Sequence, residues 1–193
     1  MNEWMALTNL SRQEVWIMGI SGKKFTDLSH TIEHGMITYK GLPAPVIGDF
    51  LTREESRSHY SHGTTFHIGK IEMVANTGTY IDAPFHRYEN GKDLSQLPLE
   101  SIADLEGLVL RVDPGVQAIG PELFSGKNPS GKAVLIHTGW SRHWSTDRYF
   151  EGHPFLTEEA AEYLKTAKPA VVGIDSYNID NTADGRRLSL IHI

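Results

Sequence analysis

A helical pattern that leads directly into a buried strand pattern constrains the fold of this chain most strongly. Residues 158–166 follow Thr157, a residue type that caps helix N-termini, and they start with two glutamates, which the helix dipole favours there. Pro169 ends the helix, and the apolar run at residues 170–175 begins at once. A helix followed immediately by a buried strand predicts an α/β architecture.

Other segments add strands and a loop to this prediction. Short apolar runs at residues 108–112 and 133–137 predict two central strands, and residues 26–31 predict a first short strand. Residues 66–75 alternate imperfectly between apolar and charged positions, which predicts a half-buried strand. Residues 53–64 are polar and are expected to form an exposed loop.

The length of the chain indicates how these elements are organised. The 193 residues suit one domain with a single hydrophobic core. We predict that residues 1–22 are an N-terminal extension and that residues 23–193 form the domain, with a C-terminus that is either truncated or divergent. Residues 186–193 show no clear period, and we expect an edge strand or a disordered tail there.

Composition excludes several classes of function. A net charge of −6 does not provide the basic surface that nucleic acid or an anionic membrane requires, and the absence of cysteine excludes thiolate nucleophiles. No apolar run reaches the length of about 18 residues that spans a membrane, and residues 15–20 are too few for a secretory signal. We therefore expect a cytoplasmic protein whose partner is a small molecule rather than a nucleic acid or a membrane.

The sequence contains ten histidines, so metal binding must be considered. Residues 30–34 spell H-x-x-E-H, a pattern of inverted zinc proteases that needs both histidines on one helical face. The β-branched residues inside this pattern and Gly35 after it favour a strand that ends in a turn, which separates His30 from His34 by more than about 12 Å. A metal site at His30, His34 and a distant carboxylate is the weaker alternative.

Residues 76–86 carry the most concentrated set of candidate functional groups. If this segment is extended, Asn76, Tyr80 and Asp82 point to one face, and a glycine between them leaves that face open. A proline at position 84 restricts the residue before it and orients His86 separately. The residues indicate either a catalytic or binding site or a polar turn between two strands.

The same segment resembles the signature H-x-G-T-H-x-D-x-P-x-H of the cyclase family, which includes bacterial kynurenine formamidase and isatin hydrolase. The resemblance runs from about residue 25 to residue 180, and four further segments carry it. These segments are Asp27-Leu28-Ser29-His30, Tyr39-Lys40-Gly41, His137-Thr138-Gly139-Trp140 and Gly173-Ile174-Asp175-Ser176.

Membership would imply an α/β fold of the swivelling β/β/α type, with a central mixed sheet in a single domain that is usually a homo-oligomer. It would also imply hydrolysis of a formamide, lactam or lactone by a metal-bound water, hence an arylformamidase-like hydrolase. Family members hold Zn²⁺ or Mn²⁺ through the two signature histidines and the aspartate, and the last histidine is a catalytic group or a ligand of a second metal.

This sequence departs from the family signature at two metal-binding positions. Asn76 and Tyr80 stand where the signature has histidines, and Asp82 and His86 match it. The metal ligands that the resemblance still implies are therefore Asp82 and His86. A divalent metal could bind through these two and other groups; otherwise the reaction is easier than formamide hydrolysis, or the chain is catalytically weak.

Two functional hypotheses follow from these residues. In the first, the chain is a hydrolase in which His86 is the general base, Asp82 orients it or holds a metal, and Asn76 and Tyr80 donate hydrogen bonds to the substrate oxygen. His67 lies on the strand that leads into the motif and is a further candidate for substrate binding. In the second, the chain is a non-catalytic relative that binds a small carbonyl compound.

Overall fold

The computed structural model describes residues 26–184, so the predictions for the N-terminal extension and for residues 186–193 lie outside the described residues. Seven strands and two α-helices occur within this range. In chain order they are β1 (Val46–Leu51), α1 (Arg53–Ser56), β2 (Ile68–Glu72), β3 (Gly107–Arg111), β4 (Ala118–Ile119), β5 (Ala133–His137), β6 (Phe155–Leu156), α2 (Glu158–Ala167) and β7 (Val171–Ile174). Short 3₁₀ helices occupy Pro84–His86, Leu94–Gln96, Leu99–Ser101, Pro121–Phe124, Trp140–His143 and Asp147–Phe150.

The central sheet is parallel and three-stranded, with the order β3-β5-β7. Ala133 at the start of β5 is paired with both Gly107 of β3 and Val171 of β7, so the three strands begin at the same level. Parallel strands in one sheet need long crossover connections, and α2 is part of the connection from β5 to β7. The carboxyl ends of the three strands therefore meet at one edge of the sheet.

The hydrophobic core lies between this sheet and α2. Val134 and Ile136 of β5 are fully buried, and so are Ala160 and Leu164 of α2. Phe124 is also fully buried, and it packs in the same cluster. Burying side chains of this size stabilises a fold by about 1.5–3 kcal/mol each.

The predicted helix of residues 158–166 is confirmed as α2. The side chain of Thr157 accepts a hydrogen bond from the Ala160 N–H, as an N-cap residue does. Lys168 closes the helix in the left-handed conformation, with φ of 55°, and its N–H donates to the carbonyl of Leu164. The strand that follows begins at Val171, one residue after the predicted start.

Two smaller sheets complete the described part of the chain. Strands β1 and β2 form an antiparallel hairpin, and β4 and β6 form a short parallel pair. The mixed α/β prediction is confirmed, with the parallel and antiparallel pairings in separate sheets. The hairpin keeps large apolar side chains in solvent, with Phe50 70% and Ile71 66% exposed. The hairpin contributes to the site by placing residues 76–86, because the chain enters that segment from β2.

Three predictions of local structure are wrong. The strand predicted as half-buried at residues 66–75 is β2, and all five of its residues are exposed. Residues 26–31 form no strand; the Asp27 carboxylate accepts a hydrogen bond from the Ser29 N–H at 2.9 Å, a local bond that competes with strand pairing. The expected loop at residues 53–64 begins with helix α1. There Thr52 and Glu55 form a capping box, each side chain bonding the backbone of the other.

None of the helices within residues 26–184 has the length and apolar character that a membrane-spanning helix needs.

Candidate active site

Three of the predicted site residues come together where the chain leaves the hairpin. The 3₁₀ turn at Pro84–His86 folds His86 back toward Asp82, and His86 Nδ1 lies 3.4 Å from Asp82 Oδ1. The Asn76 Nδ2 atom donates to the same Asp82 oxygen, also at 3.4 Å. An amide, a carboxylate and an imidazole are thus in contact, although they are as many as ten residues apart in the sequence.

Tyr80 joins this group through Asn76. Tyr80 is 45% exposed. The partial burial of its phenol is the main influence that raises the pKa, the hydrogen bond with Asn76 lowers it, and the charge of Asp82 and the proximity of Tyr39 raise it further. The net pKa is above the ordinary value of 10.0. The phenol therefore keeps its proton at neutral pH and is available as a hydrogen-bond donor.

The bend of the motif depends on two residues between Asn76 and Tyr80. Thr77 is buried, and its hydroxyl donates to the carbonyl of Val74 at 2.7 Å. Gly78 adopts φ of +71°, a left-handed conformation that favours glycine, and the side chain of Ile32 lies directly against it. These contacts hold the Asn76 and Tyr80 side chains near Asp82.

An aromatic wall, made of Tyr39, Tyr149 and Tyr177, borders the motif. Tyr39 and Tyr177 stack with ring centroids 4.7 Å apart, and the ring of Tyr149 meets Tyr177 edge-on at 5.7 Å. Burial is the main cause that raises the Tyr149 pKa, and the charge of Asp175 and the proximity of Tyr80 raise it further. Tyr80, which also lies close to Tyr39, thus links the motif to the aromatic wall.

The sequence did not indicate the aromatic wall as part of the site. Its members come from three separate segments, and no spacing pattern joins them. The signal that could have found them is the resemblance itself. Tyr39 lies inside one of the segments that resemble the family, and Tyr177 directly follows another.

Asp175 fixes the edge of the central sheet beside the aromatic wall. Its carboxylate accepts hydrogen bonds from the Thr138 N–H at 2.6 Å, the Thr138 hydroxyl at 2.7 Å and the Gly139 N–H at 2.8 Å. Asp175 follows β7, and Thr138 and Gly139 follow β5, so the carboxylate joins the ends of two neighbouring strands. His137 Nε2 lies 3.9 Å from the same carboxylate.

The structure gives the other candidate histidines separate surroundings. His67 Nε2 lies 2.6 Å from Asp49 Oδ1, so its contact is across the hairpin. The ring of His30 stacks on Trp144 with centroids 4.9 Å apart, and His34 Nδ1 accepts from the Ile47 N–H at 3.0 Å. His30 and His34 thus have different contacts, and no described residues join them in a group that could hold a metal ion, as the weaker alternative requires.

The donor set around Asp82 does not fit the metal that the cyclase family implies. A catalytic zinc ion takes three protein ligands, usually histidine or carboxylate. Asp82 and His86 supply two, Asn76 presents an N–H₂ donor to the carboxylate, and Tyr80 is a neutral phenol. In residues 26–184, no group of three or more histidine, cysteine, aspartate or glutamate side chains could hold a metal ion.

The family model named Cyclase matches residues 26–181. This chain belongs to the cyclase family. Kynurenine formamidase of Bacillus cytotoxicus is 26% identical over 175 residues, covering 90% of this chain and 78% of the relative. Kynurenine formamidase of Geobacillus thermodenitrificans is 29% identical over 135 residues, covering 69% and 62%. The resemblance stated from the sequence is confirmed.

Solved structures agree with the fold of this cyclase-family chain. A protein titled a "potential metal-dependent hydrolase with cyclase activity" superposes with a TM-score of 0.67 at 24% identity, covering 86% of this chain and 74% of that one. Isatin hydrolase A from Labrenzia aggregata gives a TM-score of 0.62 at 19% identity, covering 86% and 75%. At these identities the similarity establishes the shared α/β fold.

Proposed function

We propose that this chain hydrolyses a small formamide, lactam or lactone, with His86 as the general base toward water. Its relationship to the kynurenine formamidases makes it an arylformamidase-like hydrolase that acts on carbon–nitrogen bonds. The observation that carries the proposal is the contact of Asp82 and His86 beside the donors of Asn76 and Tyr80.

His86 is suited to the role of base by its orientation. Its Nδ1 faces Asp82 Oδ1, so an Nδ1–H tautomer leaves the lone pair of Nε2 for a water molecule. The His86 side chain is 41% exposed, so water reaches it. A positioned general base accelerates hydrolysis by about 10²–10⁴-fold. Asp82 would hold the imidazole in this tautomer and stabilise the imidazolium that forms.

Tyr80 and Asn76 would stabilise the oxygen of the substrate carbonyl. The phenol of Tyr80 would donate one hydrogen bond, and the N–H₂ group of Asn76, which contacts both Asp82 and Tyr80, would turn one N–H from Tyr80 to the substrate oxygen. Each donor that is aimed at a developing oxyanion contributes about 3 kcal/mol to transition-state stabilisation. Two such donors would compensate in part for the general base being weaker than a metal-bound hydroxide.

The reaction steps balance with these groups alone. Water attacks the carbonyl carbon while His86 Nε2 takes a proton from it, and the tetrahedral oxyanion forms opposite Tyr80 and Asn76. The carbon–nitrogen bond of a formamide or lactam, or the acyl carbon–oxygen bond of a lactone, then breaks, and His86 returns the proton to the departing nitrogen or oxygen. The products are a carboxylic acid and an amine, or an alcohol when the substrate is a lactone.

The aromatic wall supports a planar substrate. Tyr39 and Tyr177 are half-buried, and they present stacked rings next to Tyr80. Aromatic pairs of this kind contribute about 0.5–1.5 kcal/mol beyond the area that they bury. An aryl group lying against this wall would place its formamide or lactam carbonyl toward the motif.

The experiment compares wild type with His86→Ala and with His59→Ala, an exposed histidine outside the site, on aryl formamides, lactams and lactones. We expect His86→Ala to lower kcat/KM by at least about 100-fold and His59→Ala to leave it unchanged. Equal activity of wild type and His86→Ala would overturn the proposal.

The replacement of the signature histidines by Asn76 and Tyr80 favours a second candidate function, that of a non-catalytic protein that binds a small carbonyl compound. Saturable binding of an aryl formamide without turnover would identify it.

A further inference from the structure

We propose that the motif of this chain is a metal-independent site, in which Asn76 and Tyr80 provide hydrogen bonds where the family signature provides metal ligands. The inference rests on the site of the proposed function but not on its turnover. Hydrogen bonding and metal binding make different demands on the same side chains, because a metal needs lone pairs and a substrate oxygen needs donors. The contacts of the motif distinguish the two.

The orientation of the Asn76 amide is the first observation. Its nitrogen, rather than its oxygen, faces Asp82, so an N–H group occupies a lone pair of Oδ1. His86 Nδ1 lies at the same distance, 3.4 Å, from this oxygen. Both neighbours of this carboxylate oxygen can act as donors to it. A cation bound to Oδ1 would have to displace them.

The chemistry of the available ligands is the second observation. A primary amide and a neutral phenol are weak ligands for zinc, which prefers imidazole, thiolate and carboxylate. Within residues 26–184 no third histidine or carboxylate completes the set. Of the candidate histidines, His67 contacts Asp49 and His34 contacts the backbone of Ile47. The loss of two imidazoles at positions 76 and 80 is therefore not compensated by the residues near the motif.

The test measures bound metal in the full-length protein after exposure to excess Zn²⁺ or Mn²⁺ and exhaustive dialysis, together with equilibrium titration of each ion. We expect wild type to retain less than about 0.1 equivalent of either ion at the motif. The double variant Asn76→His/Tyr80→His restores both imidazoles, and we expect it to bind about one equivalent, at least about 100-fold more tightly than wild type. Adding Asp82→Asn to that variant should remove the gain.

Each outcome bears on the inference. Stoichiometric metal in wild type that is lost in Asp82→Ala would overturn it, and so would a folded double variant that gains no metal. If the double variant fails to fold, the wild-type titration alone decides. Metal-free wild type without hydrolytic activity leaves this inference standing and overturns only the proposed hydrolysis. If wild type is active and binds a metal that Asp82→Ala loses, this inference is overturned and the proposed hydrolysis stands.

Discussion

The side chain of Ile32 lies directly over Gly78, so close that a Cβ atom built on the glycine would be 2.9 Å from Ile32 Cγ1. Ile32 belongs to the segment before β1, which has no regular secondary structure, and Gly78 is the centre of the candidate site. The contact shows how an irregular segment holds the motif in place. Replacing Gly78, with a second left-handed glycine as the control, separates the cost of the left-handed backbone from the cost of the close contact with Ile32.

Gly78→Ala should destabilise the fold by about 2–4 kcal/mol, because it combines left-handed strain with overpacking against Ile32. The matched control is Gly126→Ala, since Gly126 has a similar φ of +69° but nothing within 4 Å of a built Cβ. That control should lose only the backbone part, about 1–2 kcal/mol. Urea unfolding of the two variants measures the difference. Equal losses would mean that the contact with Ile32 carries no cost.

Tyr80→Phe should lower kcat/KM for an aryl formamide by about 10²–10³-fold, because it removes one donor to the oxyanion. The ring stays in place, so we expect little change in stability. Tyr60→Phe is the control, since Tyr60 is 61% exposed and its ring contacts Phe66 outside the motif. Steady-state kinetics on both variants check the expectation. Unchanged kinetics in Tyr80→Phe would remove Tyr80 from the mechanism.

Asp175→Asn should destabilise the chain by about 2–3 kcal/mol, because hydrogen bonds to a charged acceptor are stronger than those to a neutral one. The asparagine keeps one acceptor oxygen, but its amide nitrogen cannot accept from the Gly139 N–H. Asp113→Asn, in an exposed position, is the control and should cost less than about 0.5 kcal/mol. Denaturant unfolding compares them, and a loss for Asp175→Asn as small as that of the control would contradict the expectation.

Tyr149 should make the fold sensitive to alkali. Burial raises the pKa of this phenol in the folded state above the ordinary value of 10.0, so the folded chain holds the proton more tightly than the unfolded chain. Its contribution to stability is complete below about pH 10 and declines as the pH rises further, by at most about 1.4 kcal/mol per pH unit.

Thermal unfolding between neutral pH and pH 11 measures this effect. Tyr149→Phe should reduce the alkaline loss of stability, at the cost of the hydrogen bond from the Tyr149 hydroxyl to the carbonyl of Ser176. Tyr60→Phe should keep the wild-type dependence, because its phenol is in solvent. A Tyr149→Phe variant that loses stability with alkali as steeply as wild type would assign the effect to other groups.

Much of the fold could be predicted because its signals are local. Helix α2 follows from a cap, a period and a terminating proline within a dozen residues, and β5 was predicted with the bounds that the structure has. The predicted first strand failed because the Asp27 side chain supplies a local acceptor to the Ser29 N–H. The T-x-x-E pattern that begins at Thr52 indicates a helix N-terminus, but the polar composition around it favoured a loop.

The residues of the motif could be named from the sequence, but their arrangement could not. The sequence suggested an extended segment with His86 oriented separately, whereas the chain bends at Gly78 and brings Asn76, Asp82 and His86 into contact. The aromatic wall depends on Tyr39 meeting Tyr177, a pairing that only the tertiary fold creates. Nothing in the spacing of these two residues indicates that their rings stack.

The two halves of this site have consequences for the order of folding. One half follows the hairpin, and the other includes Tyr177, which follows β7, a strand that pairs with β5. Contacts between segments so far apart in the sequence form late, since the entropy of closing the intervening loops must be lost first. We therefore expect a ligand to bind at this site only in the completely folded chain, and partly folded chains should not bind it even when the hairpin and its motif have formed.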